Sequence, residues 1–249
     1  MNKNILKSCL INQDEDVITL VLGKPYNFNY NTMEMSFIEK EIEEIQNEIG
    51  YRFKKFVNSN QKHTKNVAIV DEQNLNDEFL NTDGLVTNLK GVAIAMKVAD
   101  CQAIMLYDPI KKVIGNVHSG WKGTLQKIVV EAVNTMQSRY GCNPKDIKAY
   151  ISPSICQDCF EVDKDVYDQF IREYNNIDFA LKHGKNIDNK PKYYIDTVAL
   201  NIKNLVDLGV KTENIETSNI CTKCNSNKFH SYRAEHENSG RNVAIICMK

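Results

Sequence analysis

Residues 91–119 read GVAIAMKVADCQAIMLYDPIKKVIGNVHS, and this stretch carries most of the information about the fold. GVAIAMKV at 91–98, AIMLY at 103–107 and KVIGNV at 112–117 are short runs rich in β-branched and apolar residues, separated by turn-like or polar segments. That is the pattern of successive strands. A sheet is therefore expected in the middle of the chain, joined by VAIV at 67–70 on its N-terminal side.

Working outward, Met35, Ile38, Ile42, Ile45 and Ile49 recur at alternating steps of three and four between Asn31 and Gly50, which predicts an amphipathic helix. A second helical stripe, Leu125, Ile128, Val129, Ala132, Val133 and Met136, stops before Gly141, a residue suited to a left-handed cap. Beyond it come a strand at 147–151, a helix capped near Asp163, another from about Asp196 to before Gly209, and a closing strand NVAIICM. Helices and strands mix without steady alternation and without a glycine-rich nucleotide loop, so the expected class is α+β, in one domain spanning residues 1–249.

At 249 residues and 42% apolar, the chain is long enough to bury one substantial core. Lysine and arginine number 31 against 32 for aspartate and glutamate, so no basic field draws it to nucleic acid or anionic lipid. A small-molecule substrate is favoured, and no run approaches the length of a membrane-spanning helix. Asp14, Glu15 and Asp16 interrupt the N-terminal apolar stretch too early for a secretory segment, so a cytoplasmic location is expected and Cys9 reads as an ordinary core cysteine. Eight cysteines in such a chain point to reduced thiols, metal ligands or a nucleophile.

The densest chemical signal is Ala99-Asp100-Cys101 after one apolar run and His118-Ser119-Gly120-Trp121 at the end of another. A thiolate and an imidazole on neighbouring strand ends suit zinc, and a third ligand leaves a fourth tetrahedral position open. His63 is the best third candidate. Each residue also has a plain structural reading, a buried thiol or a satisfied histidine. The competing chemistry makes Cys101 a nucleophile with His118 or His63 as its base.

Gln61-x-His63, Asp83-Gly84-Leu85-Val86-Thr87, Ala99-Asp100-Cys101 and the run His118 to Thr124 occur in one order. They are followed by Ser152-Pro153-Ser154-Ile155, Cys159-Phe160-Glu161-Val162, Cys221-Thr222, Ser231-Tyr232-Arg233 and Ser239-Gly240-Arg241. From about residue 60 onward this series closely resembles the multicopper polyphenol oxidase/purine nucleoside phosphorylase family, which includes YfiH- and YlmD-like proteins. The resemblance implies a layered α/β/β/α fold, also seen in cytotoxic necrotizing factor. It implies His63, Cys101 and His118 as metal ligands, with zinc expected ahead of copper. The first 60 residues diverge from the family pattern, and Ser152 stands where the family generally has glycine.

Cys156-x-x-Cys159 and Cys221-x-x-Cys224 have zinc-knuckle spacing, but the long stretch between the pairs and the family positions of Cys159 and Cys221 favour chance adjacency. Arg233 and Arg241 are expected to bind substrate, since guanidinium offers paired donors to phosphate or ribose hydroxyls. Ser119 joins them as a substrate contact. Asp100 is a candidate general base or partner to a histidine ligand. Trp121 reads mainly as a packing residue, and His183, His230 and His236 as residues that could line the pocket without binding metal.

The resemblance implies phosphorolysis of adenosine, inosine, guanosine or methylthioadenosine, with adenosine deamination as a second activity of the same site. Hydrolytic editing of peptidoglycan precursors is the alternative enzyme. Copper oxidation of phenols needs many histidines and the chain has five. A metal-stabilised binding module is the non-enzymatic alternative. Purine nucleoside and phosphate are the expected partners, and the default state is a monomer.

Overall fold

The computed structural model describes residues 4–29, 34–184 and 191–249. In chain order the strands are β1 (Ile5–Leu6), β2 (Val17–Leu22), β3 (Lys55–Asn60), β4 (Val67–Ile69), β5 (Phe79–Leu80), β6 (Gly84–Thr87), β7 (Val92–Val98) and β8 (Gln102–Asp108). They continue as β9 (Val113–Ser119), β10 (Lys148–Ile151), β11 (Glu161–Val162), β12 (Leu181–His183), β13 (Tyr193–Ile195), β14 (Ile215–Thr217) and β15 (Asn242–Met248). The helices are α1 (Met35–Ile49), α2 (Trp121–Leu125), α3 (Ile128–Tyr140), α4 (Lys164–Glu173), α5 (Thr197–Asp207) and α6 (Tyr232–Glu235).

The three runs of residues 91–119 are strands, but they do not share one sheet. Strand β7 belongs to a six-stranded sheet ordered β1-β2-β15-β7-β3-β5, while β8 and β9 form a hairpin in a second, ordered β14-β10-β8-β9-β6-β4. The segment 99–101 is therefore the crossing between two sheets. A smaller sheet, β11-β13-β12, stands beside them.

Strands β7, β8, β9 and β15 are buried on almost every residue because both faces of each sheet are covered, which explains why they read as continuous apolar runs. Along β7, Ile94, Met96 and Val98 face the layer between the sheets, whereas Ala93 and Ala95 face outward toward α1. Along β8, Met105 and Tyr107 enter the middle layer and Ile104 and Leu106 face the outer layer shared with α3 and α5. The period of two thus sorts each strand between two cores. The result is α/β/β/α layering within an α+β fold, as the family resemblance implies. Each fully buried Ile, Val or Leu contributes roughly 1.5–3 kcal/mol of hydrophobic stabilisation. Buried Asn116 ties the layers together by donating from Nδ2 to the carbonyls of Ile94 and Ala244 across the sheets.

Helix α1 buries Ile38 and Ile45 and half-buries Ile42 and Ile49 against the first sheet, and ends at Gly50 with φ 67°, the left-handed cap that glycine adopts freely. The side chain of Met35, and residues 31–33 within the expected span, lie outside the described residues. The stripe beginning at Leu125 is two helices, because Lys127 at φ 58° interrupts it before α3 starts at Ile128. Asp196 caps α5 by accepting from the Ala199 N–H. Strands β2 and β3 were not foreseen. Cys9 is exposed rather than in the core, its N–H donating to Glu216 Oε1.

Candidate metal centre and cavity

The crossing from β7 to β8 turns at Asp100, whose φ of 78° lies in the left-handed region, and delivers Cys101 to the start of β8. In the hairpin, Ala103 pairs with His118, so the thiol and the β9 imidazole sit on adjacent strands at the same end of the sheet. His63 arrives from the loop after β3. Its backbone, at φ 60°, is held by a single carboxylate: Asp83 accepts from the N–H groups of Lys62, His63 and Thr64 and from the Thr64 hydroxyl.

Asp83, fully buried, also meets His118 Nδ1 at 2.8 Å. A carboxylate on Nδ1 leaves Nε2 as the free ligand nitrogen. Cys101 Sγ lies 4.0 Å from His63 Nε2, and the two imidazoles cross edge to face at 4.8 Å between centroids. One ligand atom from each of His63, Cys101 and His118 falls within 4.8 Å of the others. Tetrahedral zinc with one sulfur and two nitrogen ligands needs separations of roughly 3.3–3.6 Å, so a contraction of the trio accommodates it. Gly120 makes the room, since a Cβ there would stand 2.8 Å from Cys101 Sγ and 3.0 Å from His63 Cδ2. The donor set, one thiolate and two imidazoles with an oriented histidine, fits a borderline-soft divalent ion.

Electrostatics reinforce the arrangement. Burial by itself raises the Cys101 thiol pKa, but the facing imidazoles, His118 foremost, pull it below the ordinary thiol value. Burial lowers His118 in turn, and the Cys101 thiolate with the Asp83 carboxylate more than restores it. Asp83 is held ionised well below the usual carboxylate range, its burial outweighed by His118 and Thr64.

These three residues open into a cavity of about 630 Å³, within the range of small-molecule pockets. Trp121, Phe160, Val162, Val166 and Tyr232 supply an apolar and aromatic wall, and Lys97, Arg233 and Arg241 a cationic one. Arg233 donates to the carbonyls of Cys159 and Glu161 and lies 5.7 Å over the Phe160 ring, while Arg241 donates to the carbonyls of Ser239 and Gly240. Each guanidinium is thereby braced from the protein side with further N–H donors to offer.

Sequence-expected residues are not all used as expected. The carboxylate that meets His118 is that of Asp83, whereas Asp100 accepts from the Thr222 hydroxyl and the Arg233 N–H, both at 2.6 Å. Asp100 thus fastens the loop carrying Arg233 to the sheet crossing, while still bordering the cavity. The Ser119 hydroxyl is buried in a network with Thr124 and Asn201, which also draws in Gln102, while the residue still borders the cavity. Trp121 both packs against the cluster around α4 and borders the cavity. His183 bonds the Tyr167 hydroxyl, and His230 is buried with Nε2 2.8 Å from the Tyr26 carbonyl. None of His183, His230 and His236 is among the described residues bordering the cavity. Ser152, where the family generally has glycine, turns its hydroxyl to the Ala103 N–H, inside the sheet.

Lys97 was not anticipated. Burial first, then Arg241 and Lys62, bring its ammonium down to about 8. Gln61 clamps the Lys97 backbone through both ends of its amide, which explains the glutamine two residues before His63. The signal was present in GVAIAMKV, where one lysine breaks an otherwise apolar strand. The two cysteine pairs, read as unrelated, come together: Cys156, Cys159, Cys221 and Cys224 hold their sulfurs within 4.8 Å of one another.

The sequence profile of the multi-copper polyphenol oxidoreductase laccase family matches residues 26–249, so the likeness begins well inside the segment taken as divergent. The chain is 38% identical over 168 residues to the purine nucleoside phosphorylase YlmD of Bacillus subtilis (strain 168), a match covering 68% of this chain and 59% of that protein. It is 33% identical over 210 residues to the adenosine deaminase RL5 of an unknown prokaryotic organism, covering 81% of this chain and 78% of that one. The crystal structure of the Bacillus licheniformis hypothetical protein YfiH superposes with a TM-score of 0.88 at 25% identity, over 98% of this chain and 96% of that one.

Proposed function

Because the chain belongs to the multi-copper polyphenol oxidoreductase laccase family, we propose that it is a zinc-dependent purine nucleoside phosphorylase, with adenosine deamination as a second activity of the same site. The observation that carries this reading is the placement of the His63, Cys101 and His118 donors in a cavity with an aromatic wall and a cationic wall. The names of the Bacillus subtilis and RL5 relatives support the nucleoside class.

In phosphorolysis an oxygen of hydrogen phosphate forms a bond to the ribose anomeric carbon as the glycosidic bond breaks, its electron pair leaving with the purine, which takes up the proton that the hydrogen phosphate gives up. His63, Cys101 and His118 would hold the zinc, which would supply Lewis acidity when bound. Lys97, Arg233 and Arg241 hold the dianionic phosphate, because paired guanidinium donors match its oxygens and the depressed ammonium of Lys97 gains charge beside an anion. Phe160, Trp121 and Tyr232 offer faces for the flat purine and keep water from the reacting carbon. Asp83 holds His118 in its ligand orientation throughout. Oxidation of phenols by several copper ions finds less support, since His183, His230 and His236 stand apart from the cavity. A single-domain, monomeric, cytoplasmic enzyme is the accompanying proposal.

The test is to incubate the zinc-loaded protein with adenosine, with and without phosphate, and to follow bases, inosine and ribose 1-phosphate by chromatography beside Cys101→Ala. Adenine and ribose 1-phosphate that require phosphate and vanish in Cys101→Ala are expected. Inosine formed without phosphate marks the deaminase activity, and absence of any purine product from a folded, zinc-loaded protein overturns the reading.

A further inference from the structure

We propose that Cys156, Cys159, Cys221 and Cys224 form a second metal centre, a tetrathiolate zinc site that staples the wall of the cavity. The four sulfurs come from two Cys-x-x-Cys pairs on separate segments and lie within 4.8 Å of one another, with Cys159 Sγ and Cys224 Sγ 3.5 Å apart. A tetrahedral zinc with sulfur at about 2.3 Å requires sulfur separations of roughly 3.8 Å, which this cluster brackets.

The backbone is arranged as such a site needs. Ser154 and Cys221 form a parallel bridge, with the Ser154 N–H donating to the Ile220 carbonyl and the Thr222 N–H to the Ser154 carbonyl, so the two segments meet in register. The N–H groups of Cys156 and Cys224 then point at Cys221 Sγ at 3.4 and 3.5 Å. Amides aimed at a sulfur favour its thiolate form, and the donor three residues after Cys221 within the same pair is the mark of a metal knuckle. All four thiols are free, three are partly buried and Cys224 is exposed, so hydrophobic packing gives little reason to gather them.

The site is distinct from the His63, Cys101 and His118 centre, and its consequence for the cavity is mechanical. The carbonyl of Cys159 receives the Arg233 guanidinium, and Phe160 and Glu161, the next two residues, border the cavity. Zinc on the four thiolates would hold the turn that carries this carbonyl against the 221–229 segment leading to Arg233. The four cysteines are positioning residues for that wall.

The test counts zinc per chain on the full-length protein after desalting, beside His63→Ala/Cys101→Ala, which removes the other centre, and Cys156→Ser/Cys224→Ser. The expected result is that Cys156→Ser/Cys224→Ser loses one equivalent that His63→Ala/Cys101→Ala retains. Cobalt(II) added to His63→Ala/Cys101→Ala should give the intense sulfur-to-metal charge-transfer and tetrahedral ligand-field bands of a thiolate site, and excess zinc should abolish them. Should Cys156→Ser/Cys224→Ser fail to fold, alkylation of the unaltered protein decides, with these four thiols protected by zinc and released by a chelator. Equal zinc in a folded Cys156→Ser/Cys224→Ser, equal alkylation with and without zinc, or a disulfide within the cluster in freshly purified protein overturns the proposal. These readouts do not involve nucleoside turnover, so they stand or fall independently of the proposed reaction.

Discussion

Asp83 Oδ1 lies 2.8 Å from His118 Nδ1, and the same buried carboxylate receives the N–H groups of Lys62, His63 and Thr64. One side chain therefore orients two of the three metal-ligand candidates, one through its ring and the other through its backbone. The histidine is turned by a charge-assisted bond that also fixes which nitrogen is left for a metal.

Asp83→Asn should weaken zinc binding by about 10–100-fold, the usual cost of losing such a supporting carboxylate. An amide keeps one acceptor oxygen but places an NH2 against donors, so about 1–3 kcal/mol of folding stability should go as well. Chelator competition and thermal unfolding read the two effects. Unchanged zinc affinity in the variant would show that Asp83 serves the loop alone.

Gly120→Ala should damage metal binding while leaving the fold nearly intact. The glycine has φ −76°, which any residue adopts, so the penalty is contact rather than backbone strain. Its new methyl would press on Cys101 Sγ and His63 Cδ2. A loss of bound zinc with a thermal midpoint within a few degrees of the parent is expected, and full zinc occupancy in Gly120→Ala would refute the argument.

His63→Ala and His118→Ala should separate. His63 is exposed, so its removal ought to cost metal with stability changed by no more than about 0.5 kcal/mol. His118 is 4% exposed, and removing it strands the Asp83 carboxylate without its ring partner, a loss of about 3–5 kcal/mol. Equal unfolding midpoints for the two metal-free variants would contradict this.

Glu41, on α1, accepts the Asn27 N–H with both oxygens, and burial first, with Glu44 adding to it, raises its carboxyl from about 4.5 to about 7. The folded state then binds a proton that the unfolded chain has released between those values, so stability falls as pH rises through this window and stays lower above it. Below about 4.5 the group is protonated in both states and contributes nothing. Glu41→Gln keeps an acceptor for Asn27 and removes the charge, so its advantage over the parent should grow from nearly nothing at pH 4.5 to on the order of 2 kcal/mol at pH 8. Thermal midpoints across that range test it, and a difference independent of pH would sink the idea.

What the sequence determined by itself were properties of neighbouring residues and of side-chain type. The stripe Ile38 to Ile49 specified α1, the runs around residues 91–119 specified β7, β8 and β9, and NVAIICM specified β15, because helical spacing and short apolar, β-branched runs are local features. His63, Cys101 and His118 could be named because thiol and imidazole chemistry travels with the residue and their motifs keep one order along the chain. Tertiary structure alone decided that β7 and β8 enter different sheets, since a strand's pattern says which faces are buried and nothing about which strand it pairs with. It decided too that Asp83 rather than Asp100 reaches His118, that Lys97 turns toward the cavity, and that two distant cysteine pairs share one cluster. Those are distances between residues far apart in sequence, and they are set by how the two sheets and their crossing pack, which no spacing along the chain records.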